Sequence, residues 1–219
     1  MTTPDGPVLR PMGSAALLAE LDGLDAVLAL RAELAADTPR GVRELVAAAR
    51  TLLITYDPAV TGHDRLAREV ARRATKPRTE RPGQGADRRG DQDELTVPVR
   101  YDGPDLHEVA RRTGLTTEEV IARHTAPRYT VAFAGFAPGF GYLTGTDPLL
   151  ALPRRAEPRT EVPAGAVAVA GGFTGVYPRP SPGGWHLLGT TPLTLWDERR
   201  DPPALLVPGR AVRLREAGR

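Results

Sequence analysis

The chain has 219 residues, 41% of them hydrophobic, enough to bury a core and, by length, one or two domains. Its 29 basic and 27 acidic residues leave a formal charge of only +2, so the electrostatic footprint of a nucleic-acid binder is missing. With no cysteine, disulfides, thiolate metal sites and a cysteine nucleophile are all excluded. No stretch approaches the roughly 20 apolar residues of a membrane-spanning helix, and no cationic start leads into an apolar run. A cytoplasmic protein with neither nucleic-acid nor membrane partner is the expectation.

Residues 1–74 read as short strands alternating with helices. Val8–Met12 and Ala15–Leu21 are short apolar runs, and Leu24, Val27, Leu28, Leu30, Arg31 and Leu34 recur near the 3.6-residue period, predicting an amphipathic helix from Leu24 to Ala35. Val42–Ala49 and Thr51–Asp57 look like a hairpin or neighbouring strands, before a second helix from about Asp64 to Ala74. A small α+β sandwich is the economical arrangement. Segment 75–92 carries five basic and three acidic side chains and no large apolar one, the composition of a solvated, flexible linker.

A second domain is expected over 93–219. Leu95, Val97, Val99 and Tyr101 alternate as one face of a strand. Asp105 opens a short helix that ends at Gly114, and Thr116 with Glu119 forms a capping box for another, running to about His124. From Tyr129 to residue 215 apolar stretches of four to seven residues are separated by Pro/Gly turns with no helical period. That texture predicts a closed or nearly closed β barrel. The fold class expected for the whole is therefore α+β.

Two blocks are dense in glycine and proline, FAGFAPGFGYLTG at 133–145 and the run from Pro153 to Gly189. Proline fixes φ while glycine permits positive φ or close approach, so such a mixture shapes either a barrel with tight turns or a surface with exposed amides. Arg154 and Arg159 sit among prolines. Each guanidinium can hold a carboxylate or phosphate through a bidentate fork, or pair with Glu157 or Glu161 beside it. His124, at a helix end, gains from the helix dipole if protonated. Trp185 reads as part core and part pocket wall, Phe136, Phe140 and Tyr142 as core before site, and Asp147 as a turn residue. No phosphate-binding Gly-x-x-x-x-Gly-Lys loop occurs, Gly139-Phe140-Gly141 is too short for a dinucleotide fingerprint, and Ser181 lacks a nucleophile elbow. His63, His107, His124 and His186 do not fall at metal-ligand spacings.

Five ordered motifs carry a resemblance: Phe136-Ala137-Pro138-Gly139-Phe140 with Tyr142; Pro153-Arg154-Arg155 with Pro158-Arg159; Val162-Pro163-Ala164-Gly165; Gly175-Val176-Tyr177-Pro178; and Ser181-Pro182-Gly183-Gly184-Trp185. Together they resemble the B component of bacterial 5-oxoprolinase, a family also described as allophanate hydrolase subunit 1. The same domain occurs in KipI-type kinase inhibitors and in the carboxyltransferase region of urea carboxylase. Gly41-Val42-Arg43-Glu44 and Tyr56-Asp57-Pro58 extend the similarity into the N-terminal half.

The resemblance implies a cyclophilin-like barrel and a hetero-oligomer with the A and C components of 5-oxoprolinase. That complex would use ATP to open 5-oxoproline to glutamate, with no cofactor assigned to this chain itself and no metal. It implies substrate contacts at Pro138, Gly139, Phe140, Tyr142, Arg154, Arg159, Pro163, Ala164, Gly165, Thr174, Tyr177, Ser181, Gly183, Gly184, Trp185, His186 and His124. A KipI-type inhibitor docking on a sensor histidine kinase, or action on allophanate or another urea-derived amide, are the alternatives. One departure stands out: Phe173 precedes Thr174-Gly175 where the family commonly has Gln, which exchanges a carboxamide for a ring.

Overall fold

The computed structural model describes residues 6–75 and 94–218, and the chain divides into two compact units, 1–89 and 90–219. The linker expected at 75–92 lies, apart from Thr75, outside the described residues. No helix among the described residues is long and apolar enough to cross a membrane.

In the first unit β1 (Val8–Pro11), β2 (Ala16–Glu20), β3 (Val42–Ala47) and β4 (Thr51–Tyr56) form an antiparallel sheet ordered β1-β2-β4-β3. Strand alternation sends Leu17, Ala19, Leu52, Ile54 and Tyr56 into the core. Helices α1 (Leu24–Ala36) and α2 (His63–Ala74) pack on this sheet and on each other, burying Val27, Leu30 and Leu34 from α1 and Leu66 and Val70 from α2. Buried Arg73 of α2 ties the helices together. Its Nη1 donates to the Glu33 and Asp37 carbonyls at the end of α1, its Nη2 to the Asp37 carboxylate at 2.8 Å and its Nε to Glu69 at 2.7 Å. Carbonyls that end a helix have no partner within it, so one guanidinium supplies what α1 lacks.

The second unit is built on seven strands ordered β12-β9-β10-β7-β6-β13-β5. These are β5 (Leu95–Val99), β6 (Arg128–Ala134), β7 (Gly141–Thr144), β9 (Ala166–Ala170), β10 (Phe173–Val176), β12 (His186–Thr190) and β13 (Ala211–Glu216). Arg100, just past β5, and Thr190, ending β12, exchange two backbone hydrogen bonds of 2.8 Å. The two edge strands thereby meet and the sheet curls into a nearly closed barrel, as the sequence predicts. Val97, Val99, Val131, Leu143, Val167 and Val212 belong to its core.

Two helices, α3 (Leu106–Thr113) and α4 (Thr117–Thr125), pack with Val169 and Leu188 in an adjoining cluster. Gly114 ends α3 at φ 72, and both bonds of the Thr116/Glu119 capping box are made. A two-stranded ribbon pairs β8 (Arg159–Val162) with β11 (Ser181–Gly183). Between Tyr129 and residue 215, where no helical period is expected, the structure has a three-residue 3-10 turn, Pro148–Leu150. It is too short for any period, and the Asp147 carboxylate holds it by accepting from the Leu149 N–H at 2.9 Å.

Candidate functional site

Strand alternation divides the barrel residues between two faces. On β7 Leu143 joins the barrel core while Tyr142 faces the other way; on β10 Val176 joins it while Phe173 and Gly175 lie opposite. On β9 the opposite face carries only Ala166, Ala168 and Ala170. These small residues leave room for rings. Phe133, Phe136, Phe140, Tyr142, Phe173, Tyr177 and Trp185 fill it as a contiguous cluster, Phe133 stacked on Tyr142 at 4.3 Å and Phe140 edge-on to Tyr142, Tyr177 and Trp185 at 5.1–5.5 Å. Each such pair adds about 0.5–1.5 kcal/mol beyond its buried area. Phe173, the residue that departs from the family motif, packs edge-on against Phe133 and Tyr142.

Glycine lets the rings and backbone close up. A Cβ at Gly175 would sit 2.8 Å from Phe140 and 3.0 Å from Trp185, and one at Gly183 would collide with the Tyr177 hydroxyl. Trp185 is 5% exposed and Phe140 2%, so both are core. The core reading fails for Phe136, which is 59% exposed. It stands at the tip of the β6–β7 hairpin with φ 67, in the left-handed region where a Cβ costs about 1–2 kcal/mol. The ring is thus presented to solvent on a strained backbone. Its inner edge meets Phe140 and Tyr177 at 5.3 and 6.0 Å.

The two predicted anion-binding arginines have different fates. Arg159 is not paired with Glu157 or Glu161 but with Asp105, through two bonds of 2.9 and 2.7 Å. Arg155 donates to the same carboxylate at 2.9 Å, and the Leu187 N–H donates to it at 2.7 Å. Burial pushes the Asp105 carboxyl up, yet the hydrogen bonds from Arg159 and Leu187 and the two positive charges outweigh it and hold it below the usual range. Arg154, by contrast, is exposed and has no ion-pair partner among the described residues. Its charge is felt by two phenols of the aromatic cluster, where burial raises Tyr142 and Tyr177 and Arg154 partly offsets that rise.

His124 departs from the helix-dipole reading. It is 0% exposed, and burial drives its imidazole down to about 3, so it is neutral at pH 7. Nδ1 lies 2.8 Å from the Tyr101 hydroxyl and Nε2 3.1 Å from Thr174 Oγ1, which meets Thr146 Oγ1 at 3.0 Å. Burial also raises the Tyr101 phenol. It keeps its proton, so the neutral imidazole bridges two hydroxyls, Tyr101 at Nδ1 and Thr174 at Nε2. This chain stands on the Thr174 side of β10, the face opposite Phe173, so His124 and Thr174 are apart from the aromatic cluster.

His186 is 1% exposed and its Nε2 donates to the Pro153 carbonyl at 2.9 Å, which leaves Nδ1 an acceptor; that atom and Ser181 Oγ are buried without a hydrogen-bond partner. Gly165 donates to the Tyr177 carbonyl at 2.7 Å, while Pro163 and Ala164 before it, and Pro138 in the β6–β7 turn, are exposed. Gly139 is buried against Trp196, and Gly184 accepts from the Arg155 N–H at 2.8 Å. The structure thus gathers Phe140, Tyr142, Tyr177, Gly183 and Trp185, and adds Phe133, Phe136 and Phe173.

Residues 7–206 match the family described as carboxyltransferase domain, subdomain C and D. The chain is 50% identical over 122 residues to the B component of 5-oxoprolinase from Escherichia coli O157:H7, an alignment covering 54% of this chain and 56% of that protein. It therefore spans about half the length of the curated relatives it matches. Among solved structures, TTHA0988 superposes with a TM-score of 0.73 at 39% identity, covering 94% of this chain and 40% of that one. The conserved uncharacterized protein PH0987 of Pyrococcus horikoshii superposes with a TM-score of 0.56 at 33% identity, over 96% of this chain and 97% of that one. Since the family match takes in nearly all of the chain, the protein belongs to the carboxyltransferase-domain family, subdomain C and D.

Proposed function

We propose that this chain is the B component of an ATP-dependent 5-oxoprolinase, which opens 5-oxo-L-proline to L-glutamate in a complex with the A and C components. The observation that carries the reading is the 50% identity to the B component of a bacterial 5-oxoprolinase. The reaction adds water across the lactam, breaking the C–N bond so that the carbonyl becomes the new carboxylate and the nitrogen the free amine. Its substrate brings one carboxylate and one lactam. Arg154 is the unpaired guanidinium available to the carboxylate, since Arg155 and Arg159 are spent on Asp105. Phe136, the exposed ring of the cluster, is the part that the C component covers.

Reconstitution with the A and C components, ATP and 5-oxoproline tests this by following glutamate release. Arg154→Lys keeps the charge but loses the planar fork, and forfeiting a charge-assisted bond of about 1.5–3 kcal/mol lowers activity ten- to hundredfold. The melting temperature should stay unchanged. Full activity in both Arg154→Lys and Arg154→Ala complexes would remove the carboxylate from this residue, and no turnover by the intact complex would overturn the reading.

A further inference from the structure

The first unit contains a cavity that the reading above does not use. It measures about 490 Å³ and is walled by the α1–β3 connection and one face of α2, a volume within the range of small-molecule sites. Five arginines line it, Arg40, Arg65, Arg68, Arg72 and Arg73, against two carboxylates, Asp37 and Glu69. Both acids are already engaged. Glu69 takes Arg72 and Arg73 at 2.7 Å and its carboxyl is held down to about 2 by them; Asp37 takes Arg73 at 2.8 Å. Arg40, Arg65 and Arg68 have no ion-pair partner among the described residues. Arg65 stands in the first turn of α2, where the helix dipole disfavours a cation, and the helix start has no side-chain cap.

We propose that this cavity binds a phosphate-bearing anion. A carboxylate presents its oxygens in a single plane, whereas a phosphoryl group offers tetrahedral oxygens to forks arriving from a helix face and from the separate Arg40 connection. No aromatic residue lines the cavity, so it offers a nucleobase no ring to stack on. The site reads phosphoryl groups alone, whether in inorganic pyrophosphate or in the tail of a nucleotide.

Calorimetric titration of the full chain with pyrophosphate, ATP, adenosine and citrate tests this. Pyrophosphate and ATP should bind with similar affinity below about 1 mM, citrate at least tenfold more weakly and adenosine not at all. Raising salt from about 50 to 200 mM should weaken binding. Arg40→Ala, Arg65→Ala and Arg68→Ala, each at an exposed position, should each weaken pyrophosphate binding, and the triple variant should abolish it with an unchanged melting temperature. Arg154→Ala should leave it intact. No pyrophosphate binding, equal binding of citrate, binding of ATP but not pyrophosphate, or binding lost in Arg154→Ala and kept in the triple variant would each overturn the proposal.

Discussion

His124 makes the stability of the barrel sensitive to mild acid. Its imidazole is wholly buried and held near 3, against 6.5 for an ordinary histidine. A folded-state value below the unfolded one means that the unfolded chain takes up the proton first, so stability present above pH 6.5 falls as the pH drops towards 3. For a single group shifted this far, the loss is about 1.4 kcal/mol at pH 5.5 and about 2.7 kcal/mol at pH 4.5. Carboxylates with lowered values, such as Asp105 and Asp147, add their own loss only as the pH falls through about 4. Glu69, held down to about 2 from an ordinary 4.5, begins to lose its contribution below about pH 5, so the interval from 6.5 to 5 reports chiefly on the imidazole. Urea unfolding across that interval should show the free energy falling with this curvature, while His124→Gln, less stable at pH 7, should show a flatter profile. A wild-type profile flat from 6.5 to 5, or a His124 imidazole seen by NMR to titrate near 6.5 in the folded protein, would refute the reasoning.

Replacing Asp105 with Asn leaves two guanidiniums short of their shared carboxylate and should cost about 3–5 kcal/mol in denaturant unfolding at pH 7. Gly183→Ala forces a methyl into the Tyr177 hydroxyl and should destabilise by about 1–3 kcal/mol. Combined with Tyr177→Phe it should cost less than the sum of the single changes by at least about 0.5 kcal/mol. Phe136→Ala removes a mostly exposed ring that still meets Phe140 and Tyr177 edge-on and should lower the melting temperature by no more than about 5 °C, yet weaken binding to the proposed C component by at least about thirtyfold if the ring anchors that contact.

Most of the architecture is readable wherever the determinant is local. The helix α1, the capping box of α4 and the glycine that ends α3 all appear where expected, although α1 is apolar nearly all round and not amphipathic. The barrel and its near-closure are legible as texture, but the residues that close it are not, because the Arg100–Thr190 bridge joins backbone groups 90 residues apart and backbone pairing leaves no mark on side-chain identity. The three-residue turn at Pro148–Leu150 escapes for the opposite reason, being shorter than the period that would reveal it.

The site is legible as composition and illegible as pairing. Arg154, Arg155 and Arg159 look equivalent in a stretch of prolines, and the nearest acids in sequence, Glu157 and Glu161, are the natural partners to nominate. What decides the outcome is that Asp105 is buried while those glutamates are exposed. A desolvated carboxylate left unpaired costs several kcal/mol, whereas an exposed one costs almost nothing. The fold therefore sends two of the three arginines across 50 and 54 residues of sequence to Asp105. The same argument explains why Arg154 is the one left over. No buried acid remains near it to demand a partner, so its fork stays open to an anion arriving from outside. If Asp105 is what commits Arg155 and Arg159, then Asp105→Asn should free them, and the proposed complex carrying it should show altered KM for 5-oxoproline, the substrate proposed above, under conditions where it remains folded. An unchanged KM in the folded variant would mean that the arginines hold their places without the carboxylate, and that burial of Asp105 does not decide which guanidinium is left for the substrate.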